Sequence, residues 1–381
     1  MYPMSSPSFK AIIHPKVDPW LVGGLSIPIL LLFIVMSSRI PQELILGNFL
    51  ILTVLVNGTH FMASYFLLYS SREYISRYKT AAIYLPIALL VCGAAGLWMT
   101  APPRNDPAII QGLLIITALY LALHYTGQAW GMMASYAYLN EIRFSNGERF
   151  ILRGCLRVMA IWQMVWALTT SPSYIPAPLL PWANGCMLTL NGAGVISLIA
   201  GMITLLRLRL RLERAIPVSV VLPFASLYVW YIFLYIHPQS LFWVQIFHAT
   251  QYLAFPLRVE SNRAERRREA LLSTSHARHL LGYTLTLCGA SLFVFVGIDK
   301  ALNYPSGGFE TYSLVLVSLI NIHHYFIDGC VWHIRSPEVR EDLFAHTQKS
   351  RGSESSSRSN YPAQSSTRAT PYQVERVTDD R

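Results

Sequence analysis

The stretch AIIQGLLIITALYLALHYTGQAWGMMASYAY, residues 108–138, runs for 31 residues without a charged side chain. A helix rises 1.5 Å per residue, so this segment is more than long enough to cross a hydrocarbon core of about 30 Å. Hydrocarbon offers the backbone no hydrogen-bond partner, and a helix is the solution in which every N–H and C=O is satisfied within the segment. His124, Thr126 and Gln128 sit toward the middle of the stretch. Polar groups at that depth are costly and tend to mark function.

The rest of the chain follows the same pattern. Of 381 residues, 53% are hydrophobic and 13% charged, about half the charge of an ordinary soluble domain. That composition excludes a soluble globular enzyme and a disordered chain. The five cysteines (Cys92, Cys155, Cys186, Cys288, Cys330) form no CxxC pair, so neither a thiolate zinc site nor a redox motif is indicated. Apolar runs predict ten spans, at 20–37, 44–70, 80–100, 108–138, 150–170, 175–206, 216–236, 239–257, 280–298 and 311–334. Arg153, Arg157 and Gln163 interrupt the fifth, which reads equally as a helix that begins at the interface. The expected fold is all-α, a polytopic bundle of about ten transmembrane helices at 20–335. It is flanked by an N-terminal cytoplasmic segment at 1–19 and a cytoplasmic tail at 336–381, disordered from about 346.

The formal charge of +10 is distributed by loop. Segments after even spans are basic: Arg72, Arg77 and Lys79; Arg143, Arg149 and Arg153; Arg207, Arg209, Arg211 and Arg214; then Arg258, Arg263, Arg266, Arg267, Arg268 and Arg278. Segments after odd spans are close to neutral, for example Arg39 with Glu43 and Arg104 with Asp106. Cytoplasmic loops carry the excess of Lys and Arg, so both termini are expected in the cytoplasm, in the cell's inner (plasma) membrane. The positive charge is thus a topology determinant that attracts membrane lipids, and no nucleic-acid partner is expected. Nothing in the sequence identifies a protein partner.

The even spans carry the informative residues. His60, His124, His248 and the pair His323–His324 each lie about 9 to 16 residues from the outer end of an even span. Helices that run the same way place these imidazoles at one depth, which is the arrangement of a shared metal centre. Adjacent His323 and His324 point about 100° apart on a helix, so one of them faces the centre. His324 is favoured because Asp328 shares its face, with His323 as the rival. Residues three or four positions on supply polar companions. Asp328 and Tyr252 are candidates for catalytic roles, Asp328 also as a direct ligand, and Gln128 and Gln251 for holding the cofactor's ligands in place. Tyr125 and Trp130 are further candidates to line a substrate channel.

Imidazoles without thiolates suit Fe, Cu, Zn or Ni. Nitrogen ligands in an apolar, water-poor setting favour Fe(2+) and oxygen chemistry, with Cu, Zn or haem as other occupants. Zinc hydrolysis calls for a carboxylate base and water access, and Asp328 is the single intramembrane carboxylate on these spans. The leading reading is a membrane oxygenase that acts on a lipophilic small molecule drawn from the bilayer. A haem- or quinone-linked electron carrier and a transporter with an intramembrane histidine relay are the alternatives.

The segments LHYTGQAW (123–130) and GTHFMASY (58–65) resemble histidine segments of the Brp/Blh family of membrane β-carotene dioxygenases, which cleave carotene to retinal. The resemblance implies an all-helical membrane fold with iron held by histidines from separate helices, here His60, His124, His248 and His324. This chain has more spans, and Thr-His-Phe stands where the family has Pro-His-Gly. The HxxxH and HxxHH boxes of membrane desaturases do not occur.

Overall fold

The computed structural model describes residues 9–47, 49–170, 178, 180–271, 276–298, 300–301, 309–332 and 339–347. Among the described residues the chain is helical, without a strand. Ten long helices follow in order among the described residues: α1 (Trp20–Val35), α2 (Gln42–Tyr69, interrupted at the left-handed Gly47), α3 (Thr80–Thr100), α4 (Ala108–Leu139), α5 (Asn146–Thr169), α6 (Leu180–Leu212), α7 (Val218–Ile236), α8 (Leu241–Leu271), α9 (His276–Ile298) and α10 (Thr311–Val331), with a short helix at Arg72–Arg77 between α2 and α3. Eight of them, all but α1 and α8, are long and apolar enough to cross a membrane. Helix α1 is shorter, and α8 carries Gln245, His248, Thr250 and Gln251 in its apolar half.

The polar interruptions of the fifth span have separate explanations. Arg149, Arg153 and Arg157 fall four apart on the exposed face of α5, and the Arg153 guanidinium lies over the Trp130 ring. Gln163 is buried on the other face, where its amide oxygen accepts the Tyr231 hydroxyl from α7. Ser145 and Glu148 form a reciprocal cap at the start of this helix, which satisfies two of its free N–H groups. The sixth and eighth expected spans end too early. Both helices run on through their arginines, α6 to Leu212 and α8 to Leu271. Good helix formers such as Arg, Glu and Ala carry a helix past the apolar boundary into water.

Packing centres on the helices that bear histidine. Helix α10 packs on both α4 and α2, and α2 packs on α8; α9 flanks α2 and α8, while α1 and α4 lie against α7. Just before His60, α2 passes through a wider π-helical turn, Thr53–Gly58. The carbonyl of Val54 in that turn accepts a hydrogen bond from Ser291 Oγ of α9 at 2.7 Å. Gly58 makes this approach possible, since a Cβ there would lie 2.0 Å from Ser291 Oγ.

The basic end is closed by the chain's own ends. Buried Asp18 accepts the backbone N–H groups of Ile12 (2.6 Å), Ile13 (3.1 Å) and His14 (3.0 Å), together with the Tyr136 hydroxyl (3.0 Å). Arg258 donates to the carbonyls of Ile12 and Ile13. Residues 339–347, expected partly as disordered tail, form a helix held by Asn262 and Arg263 of α8. His346 reaches back to the Ala11 carbonyl at 3.0 Å. Residues 1–8 and the tail from 348 lie outside the described residues.

Replacing Asp18 by Ala strands three backbone donors and one hydroxyl. The expected loss is about 2–4 kcal/mol, read as a lower midpoint of thermal unfolding in detergent and faster proteolysis near residue 12. An unchanged midpoint would mean that the N-terminal segment contributes nothing to stability.

Candidate metal centre

Four histidines from four helices meet in the interior: His60 of α2, His124 of α4, His248 of α8 and His324 of α10. One ring nitrogen of each lies within 4.8 Å of the others. The His124 and His248 Nε2 atoms are 2.9 Å apart. His324 is fully buried, His60 and His248 are almost so, and the His124 side chain is 6% exposed.

Five nitrogens of this group are buried without a hydrogen-bond partner: both of His60, both of His324, and Nδ1 of His248. A buried polar atom left unpaired costs about 1–3 kcal/mol. In hydrocarbon no water makes up the deficit. A metal ion that accepts one lone pair from each ring relieves part of that cost, at one nitrogen of His60 and one of His324, so the donor set fits a histidine-bound metal.

Each imidazole rests on an aromatic ring. Tyr252 lies 4.4 Å from His60, Tyr125 4.4 Å from His248, Phe61 4.7 Å from His324 and Tyr325 4.5 Å from His124, centroid to centroid. Three of these follow a histidine directly in sequence (His60-Phe61, His124-Tyr125, His324-Tyr325), and each packs on the histidine of a different helix. A residue one step along a helix points about 100° away, here toward the neighbouring helix. Sequence reasoning missed Phe61 and Tyr325 as site residues, and the histidine–aromatic dipeptide was the available signal.

Asp328 lies one turn from His324. Its Oδ1 accepts Ser64 Oγ at 2.7 Å and Tyr252 OH at 2.9 Å. Tyr252 in turn accepts Trp332 Nε1 at 2.8 Å. Oδ2 faces the imidazoles, 3.4 Å from His324 Nε2 and 3.8 Å from His124 Nε2. Tyr252 thus touches both the carboxylate and the His60 ring.

Other expected site residues stand elsewhere. Both nitrogens of His323 are occupied: Nε2 donates to the Ala81 carbonyl at 2.7 Å and Nδ1 accepts Tyr65 OH at 3.0 Å. No lone pair remains on that ring, and it ties α10 to α3 and α2. Gln128 and Gln251 bond to no imidazole. Gln128 donates to the His248 backbone carbonyl (3.1 Å) and to Gln251 Oε1 (3.3 Å), while Gln251 donates to the Val22 carbonyl beside the kink at Gly23 (2.8 Å). The two amides therefore brace α4, α8 and α1 around the site. Trp130 lies against Phe144, 5.7 Å between centroids, and under Arg153. That position is toward the basic end, six residues past His124.

The chain matches no protein-family model, no curated protein and no solved structure.

His323→Ala should lower stability by about 1–3 kcal/mol, because the Ala81 carbonyl and Tyr65 lose their partner. Bound metal should stay at the wild-type level. Thermal unfolding and elemental analysis of the same preparation read both, and loss of metal would restore His323 to the ligand set.

Proposed function

We propose that the protein is a multi-pass membrane oxygenase in which His60, His124, His248 and His324 hold a non-haem metal ion, Fe(2+) by preference, for chemistry on a lipophilic molecule from the bilayer. The single observation that carries the reading is the convergence of four buried imidazoles, three of which have ring nitrogens without a partner. Imidazole ligands suit iron, and iron bound this way supplies oxygen activation. The remaining chemistry belongs to the chain. Asp328, Ser64 and Tyr252 form the polar network beside the ligands, and the aromatic rings hold each imidazole in one orientation while excluding water. Four rings crowded around one point favour a bare ion over haem, because a macrocycle needs the space that two of those rings occupy. The resemblance of 58–65 and 123–130 to the Brp/Blh segments supports the same assignment.

The topology belongs to the same proposal. Ten crossings, with α1 and α8 completing the eight of membrane length, put both termini and all basic loops on the cytoplasmic face of the plasma membrane. The histidines then lie on helices that run in one direction.

Elemental analysis of detergent-purified protein should find about one iron per chain. His124→Ala and His248→Ala should each cut that content at least tenfold, since removing even an outer-sphere group costs 10–100-fold in metal affinity. Protein that holds no iron, copper or zinc would sink the metal reading and favour a histidine relay. A Soret band lost in the same variants would replace the bare ion by haem.

A further inference from the structure

Resting on the metal reading above, we infer that Asp328 is a fifth protein ligand of the centre, and that the site therefore keeps one exchangeable coordination position. Ligand bonds of about 2.0–2.2 Å set at right angles place neighbouring donor atoms about 3 Å apart. The Nε2 atoms of His124 and His248 are 2.9 Å apart, and Asp328 Oδ2 is 3.4 Å from His324 Nε2 and 3.8 Å from His124 Nε2. The imidazole pair is already at the separation of donors around one ion, and Oδ2, next to the four-imidazole group, comes to it by a shift of less than about 1 Å toward His324 and His124. The two contacts to Oδ2 are longer than the 2.7–3.2 Å of an N–H···O bond. An oxygen shared between rings of two helices is also placed as a co-ligand, not as the acceptor that orients one ring.

The other half of the carboxylate explains its aim. Oδ1 is fixed by Ser64 from α2 and Tyr252 from α8, and Tyr252 is itself fixed by Trp332. With Oδ1 held from two helices, Oδ2 can face only the imidazoles. Charge leads to the same place. Among the described residues, the ion-pair partners of Asp328 are His124 and His324 alone. A buried carboxylate without a firm cation is costly, and a divalent ion bound against it supplies the missing charge.

The consequence concerns the class of reaction. A facial triad of two histidines and one carboxylate leaves open positions in plural, enough for two exogenous ligands side by side. Four histidines and a carboxylate leave one of the six octahedral positions. A small ligand takes it, and the lipophilic molecule packs beside the ligand sphere without bonding to the metal.

The test uses the full-length protein in detergent, loaded with Fe(II) or with Co(II) as a spectroscopic stand-in, and nitric oxide as the small ligand. Wild type should bind one nitric oxide per iron by EPR titration; two per iron would overturn the inference. Asp328→Ala should bind Co(II) 10–100-fold more weakly and show stronger visible d–d absorption as the coordination number falls. Ser64→Ala keeps the carboxylate, and should retain the wild-type coordination number with a smaller loss of affinity. A folded Asp328→Ala protein with unchanged Co(II) affinity and spectrum would overturn the fifth ligand while leaving the four-histidine centre intact. Wild type that binds neither Fe(II) nor Co(II) would overturn both readings. Should Asp328→Ala not fold, Asp328→Asn keeps the shape of the side chain, and the same spectral comparison decides.

Discussion

A polar atom inside hydrocarbon has no solvent to turn to, and the arrangement of this bundle follows from that constraint. At three departures from regular helix geometry, a side chain from a neighbouring helix takes a carbonyl nearby. Ser291 takes the Val54 carbonyl in the π-helical turn of α2, and Gln251 takes that of Val22 at the kink in α1. His323 does the same for Ala81. Gln163, alone among apolar neighbours in sequence, is answered by Tyr231. Other buried atoms without a partner, such as Trp166 Nε1 and Ser240 Oγ, are scattered, whereas five imidazole nitrogens are left open at one point. The same rule that explains the scaffold singles out the site.

The broad fold was legible because it rests on length and apolarity, which are local properties. Residues 108–138 could adopt no other structure in a bilayer. Where the reading slipped, the cause was the end of that locality. The arginines of α6 and α8 mark the membrane boundary, yet helix propensity carries both helices beyond it. The order in 339–347 depends on Asn262 and Arg263, about 80 residues earlier, so no local pattern announces it. Helix α8 shows a related effect: His248 and Gln251, which bring it into the site, are what lower its apolarity below that of an ordinary span.

The site was legible in its histidines and less so in its companions. Helix direction, read from the basic loops, was enough to group His60, His124, His248 and the 323–324 pair. It could not say which member of that pair turns inward, because a 100° difference is decided by packing against α2, α3 and α4. The polar companions were assigned by spacing along a helix, which works for Asp328 because its partner His324 is on the same helix. It does not reach the partners of Gln128 and Gln251, which are each other, the Ser226 hydroxyl and backbone carbonyls of other helices. The aromatic rings were missed for the same reason: Phe61 and Tyr325 serve histidines that are remote in sequence.

The four histidines divide the bundle into two unlike halves. Four residues further along each helix, toward the basic loops, come Ser64, Gln128, Tyr252 and Asp328. Four residues earlier, toward the opposite face, come Val56, Tyr120, Val244 and Ile320. Three residues earlier come Asn57, Leu121, Gln245 and Asn321, so on the proposed topology a polar layer on one side of the imidazoles faces a mixed one on the other. Three members of the polar layer, Ser64, Tyr252 and Asp328, are joined by short hydrogen bonds and so cannot yield to a hydrocarbon guest without leaving buried groups unpaired. The mixed layer is bonded as well: Asn321 accepts the Tyr325 hydroxyl at 2.7 Å and donates to the Val317 carbonyl. On the other side the exposed Tyr120 lies parallel to the buried Tyr325, which stacks on His124, so one ring-to-ring contact links the imidazole to the outer surface of α4.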